Sequence, residues 1–199
     1  MTARLAVLAF LLIGGCALFP GNSGDVSVSD AAPMIEDGAY AEHQAEIIVK
    51  GSPESVRTLF DNGQWAKALE NERGLAFPVS FKNLQGNWPE SNARRHVTLS
   101  NDEFVVEDLL ANDFPNRLEY QAWNFTGSAG SNIDYVISEF QFLETDDGNT
   151  RVIWTHKMRA TSSFVQKFLG GFVTRKFAPF MEESLNDFAD GIEDMSPKS

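Results

Sequence analysis

Three histidines are the residues of this sequence whose type best suits proton transfer or metal binding. His43, His96 and His156 lie far apart in the chain, without the His-x-x-His or His-Glu spacing that is typical of a metal site. The sequence also contains no Gly-x-Ser-x-Gly elbow and no glycine-rich loop of the kind that binds phosphate. We therefore predict no metal and no cofactor, and we assign no catalytic residue.

Three side chains suit contact with a ligand: Trp154, His156 and Tyr120. Trp154 and His156 alternate with polar residues in a run with strand character, so they share one face of that strand. If this face lines a cavity, His156 could hydrogen-bond a ligand or act as a base, although a histidine there is also often a satisfied wall residue. Tyr120 shares a face with Leu118 and is a candidate hydrogen-bond donor to a ligand.

A charged pair is predicted from the spacing of one hairpin. If residues 100–102 form a three-residue loop, Leu99 pairs with the residue that follows the loop. Arg95 then lies opposite Glu107 on a face that is otherwise apolar. Such a pair is either a structural bridge or a polar group that orients a ligand, and the sequence leaves both interpretations open.

The elements that position these residues can be predicted from local patterns. Ser52 can cap a helix and Pro53 suits its first turn, which predicts a helix over 53–60 and, after a break, a second over 64–69. Closely spaced runs with strand character indicate an antiparallel meander. The seven predicted strands are 45–50, 79–84, 94–99, 104–110, 117–125, 133–143 and 150–159.

The chain closes with a predicted amphipathic helix over 162–192. Phe164, Phe168 and Phe172 recur there at helical spacing, and they belong to a stock of 16 phenylalanines. That many rings indicates either a large core or an apolar cavity, so Phe168 and Phe172 are candidate ligand contacts. Pro179 is expected to kink or divide the helix because proline lacks a backbone N–H.

The order of these elements resembles the SRPBCC superfamily, also called START-like or polyketide-cyclase-like domains, over 42–192. The resemblance rests on residues 47–56 (IIVKGSPESV), 95–99 with 105–107, 118–120 (LEY) and 150–154 (TRVIW). It implies an α+β helix-grip fold, in which a seven-stranded curved antiparallel sheet wraps around a long C-terminal helix and two short helices follow the first strand. It also implies an apolar tunnel that takes lipids, sterols, quinones or polyketides.

Cys16 is the only cysteine, and it follows a short apolar run over 5–13 and two glycines. The run is too short to span a bilayer, for which about 20 apolar residues are needed. The stretch resembles a bacterial lipobox, which implies cleavage before Cys16 and acyl chains on it. The alternatives are an ordinary secretory signal with a chance cysteine, or a buried free thiol.

This interpretation divides the chain into three parts. Residues 1–15 are predicted to be a lipoprotein signal peptide, 16–39 the lipidated cysteine with a flexible tether, and 40–195 the START-like domain. By resemblance to Gram-negative lipoproteins, Ala17 rather than Asp after the cysteine implies sorting to the outer membrane, on its periplasmic face, if the host is Gram-negative. We expect the protein to be lipid-anchored in a bacterial cell envelope.

The charge of the chain limits the kinds of partner that it can bind. It contains 16 Lys and Arg against 28 Asp and Glu, a net charge of −12. This balance argues against nucleic acid and against electrostatic docking on anionic lipid. Its simplest explanation is solubility.

These observations predict a monomeric, membrane-tethered carrier or sensor of a hydrophobic small molecule or lipid, without covalent chemistry. The first alternative is an enzyme of the cyclase or aromatase kind, in which Tyr120, His156 or Glu107 moves protons. The second is an envelope lipoprotein that uses the same fold to bind another protein.

Overall fold

A single antiparallel sheet of seven strands forms the framework of the computed structural model, which describes residues 31–70, 73–130 and 132–195. The strand order is β1-β7-β6-β5-β4-β3-β2, so β1 and β2 are the two edges. The strands are β1 Ala41–Val49, β2 Pro78–Gln85, β3 Arg94–Leu99, β4 Phe104–Asp113, β5 Arg117–Trp123, β6 Ile133–Glu144 and β7 Thr150–Ala160. A short helix, α3 (Gly127–Gly130), lies between β5 and β6.

The predicted register of the β3–β4 hairpin is confirmed. Arg95 pairs with Glu107, and Val97 pairs with Val105. Leu99 closes the hairpin by donating its backbone N–H to the carbonyl of the residue after the loop, at 2.7 Å. Arg95 and Glu107 therefore lie side by side on the same face of the sheet, because successive side chains of a strand alternate between faces.

Two short helices follow β1 as predicted, α1 (Pro53–Leu59) and α2 (Trp65–Ala68). The Ser52 hydroxyl accepts a hydrogen bond from the backbone N–H of Ser55, which caps α1. A π-helical turn, Phe60–Gln64, joins the two helices through Gly63, whose φ of +96° is readily adopted only by glycine. This kink presses Phe60 and Trp65 together onto the sheet, with their ring centroids 5.3 Å apart.

A helix of 33 residues ends the described chain, in two α-helical parts. They are α4 (Ser163–Phe172) and α5 (Ala178–Met195), joined by a π-helical turn, Val173–Phe177. Pro179 does not divide the helix, contrary to one of the two expectations. The wide turn lies directly before it, where proline cannot donate to the carbonyl four residues earlier. None of the helices in the described ranges is long and apolar enough to cross a membrane.

The side chains that pack beneath the long helix differ in size between its two parts. Beneath α5 it is built from large side chains, among them Phe140, Phe142, Met181 and Phe188. Beneath α4 the sheet contributes smaller residues, namely Val97, Val105, Ala122, Val136 and Met158. The small side chains leave space between α4 and the sheet.

Residues 31–40, here called the N-terminal strap, lie on the face of the sheet opposite the helices. Gln121 donates from Nε2 to the carbonyl of Pro33 at 2.8 Å, and the backbone N–H of Glu36 donates to the Tyr135 hydroxyl at 3.0 Å. Arg159 also contacts Glu36, with Nη2 3.1 Å from its carboxylate. Residues 31–39, which the sequence analysis assigned to the tether, thus contact the folded domain. Cys16 and the signal segment lie outside the described residues.

Arg57 fastens α1 to the sheet from a fully buried position. Its Nε is 3.0 Å from the carboxylate of Asp61, and its Nη2 donates to the Asn112 side chain at 2.7 Å. Its Nη1 donates to the carbonyl of Arg117 at 3.2 Å, and the guanidinium lies 5.5 Å from the centre of the Phe142 ring. One side chain therefore joins the helix to two strands and to the core.

We predict that Arg57→Met lowers the free energy of unfolding by about 3 kcal/mol, because it leaves a partly buried carboxylate and two polar groups without their partner. The matched control is Arg151→Met on β7, where the side chain is exposed. The control should change stability by less than about 0.5 kcal/mol. Chemical denaturation of both variants measures the difference, and equal small losses would contradict the role of Arg57.

Candidate ligand-binding site

Two adjoining cavities lie on the helix side of the sheet. The inner cavity, of about 230 Å³, lies beneath Phe172 and Phe177 of the long helix. The outer cavity, of about 430 Å³, lies between the α1–α2 kink and strands β2 to β5. Pro78, Glu107 and Tyr120 line both. The outer cavity alone falls in the usual size range of ligand pockets, about 300 to 1,000 Å³, so a ligand of that size would have to use it.

The wall of the inner cavity is almost entirely apolar. The polar side chains that reach it are Glu103, Glu107, Tyr120 and His156. Its apolar lining is Leu75, Ala76, Pro78, Val97, Leu99, Val105, Ala122, Phe125, Ala129, Ile133, Val136, Met158, Phe172 and Phe177. Such a surface binds apolar groups by removing them from water.

A line of hydrogen-bonding side chains crosses three neighbouring strands at the cavity wall. Tyr120 on β5 lies opposite Ser138 on β6, which lies opposite His156 on β7. Nδ1 of His156 is 2.6 Å from the hydroxyl oxygen of Ser138, to which Trp154 donates its indole N–H at 3.4 Å. The Tyr120 side chain lies beside Ser138 at the other end of this line. The three strands thus bring together groups that are separated in the sequence.

The hydrogen bond between His156 and Ser138 is compatible with either neutral tautomer of the imidazole. An indole N–H only donates, so the Ser138 oxygen accepts from Trp154, and both its second lone pair and its own hydrogen are available to Nδ1 of His156. In the tautomer whose Nδ1 accepts, Nε2 carries the hydrogen and is a donor for a ligand.

Burial keeps both titratable groups of this line uncharged at neutral pH. It lowers the pKa of His156 to about 3, since the charged ring would lose hydration at the cavity wall. The pKa of Tyr120 is raised, first by burial and then by the negative charge of Glu107 nearby. Both side chains act at pH 7 as neutral hydrogen-bonding groups.

Arg95 and Glu107 form an ion pair where the two cavities meet. Nε and Nη2 of Arg95 are each 2.6 Å from one carboxylate oxygen of Glu107, whose exposed fraction is 6%. The guanidinium also lies 3.7 Å from the centre of the Trp88 ring and 4.4 Å from that of Phe81. Both charged groups thus have partners within the protein, as a structural bridge requires. Both side chains also line the outer cavity.

Of the three remaining predicted ligand contacts, Trp154, Phe168 and Phe172, only one lines a cavity. Phe172 lines the inner cavity. Trp154 lines neither cavity, because it lies beneath α5 and packs against Trp65 and Phe140 at centroid distances of 4.9 and 5.3 Å. Phe168 also lines neither, and 65% of its side chain is exposed. Four residues advance an α-helix by about 400°, so the stripe of phenylalanines drifts and only its last member turns inward.

Ser138 was missed by the sequence analysis, although a signal for it existed. It is the one hydroxyl among the inward-facing positions of β6, where it alternates with Val136, Phe140 and Phe142. No group of three or more His, Cys, Asp and Glu is placed to hold a metal ion in the part of the chain that the structure describes.

The depressed pKa of His156 predicts a pH dependence of stability. The folded chain binds fewer protons at this ring than the unfolded chain, so the free energy of unfolding falls as the pH drops below about 6.5. Between pH 7 and pH 5 this contribution is about 2 kcal/mol. His156→Asn keeps an acceptor near the position of Nδ1 but cannot titrate, so its loss over that range should be smaller by this amount. Denaturation at both pH values tests it, and equal losses in the two proteins would contradict the assignment.

Comparison with known proteins is informative only at the level of structure. No protein-family model and no curated protein matches this sequence. Ginseng major latex-like protein 151 from Panax ginseng is 10% identical with a TM-score of 0.57, over 77% of this chain and 98% of its own. Ara h 8.0201 is 12% identical with a TM-score of 0.54, over 78% of this chain and 99% of its own.

A protein from Nitrosospira multiformis is 21% identical with a TM-score of 0.53, over 76% of this chain and 95% of its own. At such identities the likeness concerns the fold alone. Together with the strand order and the long C-terminal helix, it confirms the predicted fold class. The chain has an α+β helix-grip fold, in which the seven-stranded antiparallel sheet packs against the long C-terminal helix.

Proposed function

We propose that this protein is a membrane-tethered binding protein for a hydrophobic ligand, which it carries or senses without covalent chemistry. The observation that carries the proposal is the pair of adjoining cavities, of about 230 and 430 Å³, which share Pro78, Glu107 and Tyr120 and of which the smaller has a mostly apolar wall. A ligand with an apolar body and a polar group suits such a wall. Lipids, quinones, sterol-like and polyketide-like molecules have this character.

The polar groups fit recognition of an oxygen atom on the ligand. Nε2 of His156 can donate to a carbonyl, carboxyl or ether oxygen, and the hydroxyl of Tyr120 lies on the same wall. Apolar contacts would supply most of the binding free energy, whereas these hydrogen bonds would orient the ligand.

An enzyme of the cyclase or aromatase kind is the second candidate. The alignment of Tyr120, Ser138 and His156 on neighbouring strands favours it, because adjacent hydrogen-bonding groups can pass a proton. The pKa of about 3 for His156 speaks against it, since a base works best when its pKa is near the operating pH. The raised pKa of Tyr120 likewise suits a hydrogen-bond donor better than an acid.

The tether is proposed from the sequence. Arg4, the apolar run over 5–13, two glycines and Cys16 support export and acylation at this cysteine. Acyl chains would hold the protein to a membrane of the cell envelope, which is the outer membrane if the host is Gram-negative. A cavity for hydrophobic ligands would then lie beside a supply of them.

Filling the inner cavity should remove the ligand. Ala122→Phe places a ring in the cavity from β5, whereas Leu110→Phe adds the same ring type at an exposed position of β4 that lines neither cavity. The full chain and both variants are purified from the host in one mild detergent, and their lipids are extracted and compared by mass spectrometry. We expect one lipid class with the parent chain and the Leu110 variant, and little of it with the Ala122 variant. The same lipids in all three samples, with thermal unfolding showing each protein folded, would contradict the proposal.

Replacing the cysteine should release the protein from membranes. In the full chain, Cys16→Ser removes the acylated sulfur, whereas Asn22→Ser alters a neighbouring position and keeps the cysteine. Fractionation of cells should place the Cys16 variant outside the membrane pellet and the Asn22 variant within it. A Cys16 variant that stays in the pellet with unchanged mobility would show that acylation does not hold the protein there.

A further inference from the structure

Two phenylalanines at the start of the long helix face solvent. The exposed fractions of Phe164 and Phe168 are 70% and 65%, and their ring centroids are 5.2 Å apart. About 100° around the helix from this pair, α4 contacts the domain through Leu169, which is buried, and Val165, which is half-buried. The apolar surface of α4 therefore extends past its buried face onto its exposed side, whereas a helix with only one buried face has polar residues there. Exposed apolar pairs of this kind are typical of surfaces that contact a partner or a membrane.

The basic residues of the long helix lie in its first half and the acidic residues in its second half. Residues 163–177 carry Lys167, Arg175 and Lys176 and no acidic residue. The α5 helix carries six acidic residues and no Lys or Arg: Glu182, Glu183, Asp187, Asp190, Glu193 and Asp194. This part of the helix is thus basic in sequence, although the net charge of the chain is −12 and Glu36 and Asp134 line a depression together with Lys167. The net charge disfavours approach to anionic lipid from a distance, whereas contact depends on the charges that face the surface.

The N-terminal strap reaches the same end of the molecule. Glu36 and Ala39 of the strap line one surface depression together with Ser163 and Lys167 of α4. Cys16 precedes Ala31, the first described residue, by fifteen positions. A flexible linker of that length has a root-mean-square span of about 20 Å. An anchor at Cys16 would therefore keep the domain within reach of the bilayer surface.

The exposed pair is also close to the inner cavity along the helix. Phe172 lines that cavity, and it follows Phe168 by one helical turn. A partner surface that bound Phe164 and Phe168 would thus lie beside the inner cavity.

We propose that Phe164 and Phe168 insert into the interfacial layer of a lipid bilayer, with Lys167, Arg175 and Lys176 facing anionic headgroups. Aromatic and aliphatic side chains insert there, while cations beside them attract acidic lipid. This docking surface goes beyond the proposed function, and it rests on that function only for the anchor that brings the chain to the membrane. The experiment supplies the anchor chemically.

The test measures which end of the domain enters the bilayer. Two variants of the full chain each replace one exposed phenylalanine by tryptophan: Phe168→Trp, and the matched control Phe114→Trp, whose parent side chain is 50% exposed at the opposite end of β5. Each protein is coupled through Cys16 to a maleimide lipid in vesicles of phosphatidylcholine and phosphatidylglycerol, with or without brominated acyl chains. The fluorescence of the parent chain, which has four tryptophans, is subtracted.

We expect brominated lipid to quench the added emission of the Phe168 variant and to leave that of the Phe114 variant unchanged. Quenching should weaken in high salt and in vesicles of phosphatidylcholine alone. Addition of Phe164→Ser to the Phe168 variant should lower the population of the inserted state by about tenfold, since burial of one ring is lost. No quenching at position 168, or equal quenching at both positions, would overturn the proposal. Neither result depends on natural acylation or on a ligand in the cavity, so failure here is distinct from failure of the proposed function.

Discussion

Aromatic packing beneath α5 is the interaction on which the rest of the structure depends. Phe60 and Trp65 stack from the helical pair, Phe140 and Trp154 stack from the sheet, and Phe188 completes the cluster from α5. Rings at these separations stabilise one another beyond the burial of their surface. Because the cluster holds α1, α2 and α5 to the sheet together, it also holds α4 in place over side chains too small to fill the space below. The cavity is a consequence of this uneven core, and the stability lost to an empty cavity is tolerable where the neighbouring packing is dense.

Two of the polar groups of the cavity remain compatible with an apolar interior because they have partners in the protein. Ser138 hydrogen-bonds His156, and Arg95 pairs with Glu107. Burial of an unpaired polar group costs far more than burial of a hydrogen-bonded one. The wall therefore offers a few fixed, uncharged hydrogen-bonding positions, which suits a ligand that is mostly apolar and carries few polar atoms.

The N-terminal strap and the basic half of the long helix lie at the same end of the domain. The strap fastens the chain to the sheet through Gln121, Tyr135 and Arg159, and its Glu36 and Ala39 lie at the end of the domain where α4 begins. The basic half of the helix lies at that end, and the acidic half follows it. Net charge describes attraction over long distances, whereas contact with a surface depends on the charges that face it.

The sequence by itself determined the order of the elements, the fold class and the register that places Arg95 beside Glu107, because caps, turns and the alternation of strands are local. It also selected His156, Tyr120 and Phe172, which line the cavities. Only the tertiary structure decided that Trp154 belongs to the core, that Phe168 faces solvent, that Ser138 joins the polar line and that residues 31–39 contact the sheet. The physical reason is that a side chain's surroundings depend on which distant segment covers its face, and no pattern of neighbouring residues records that.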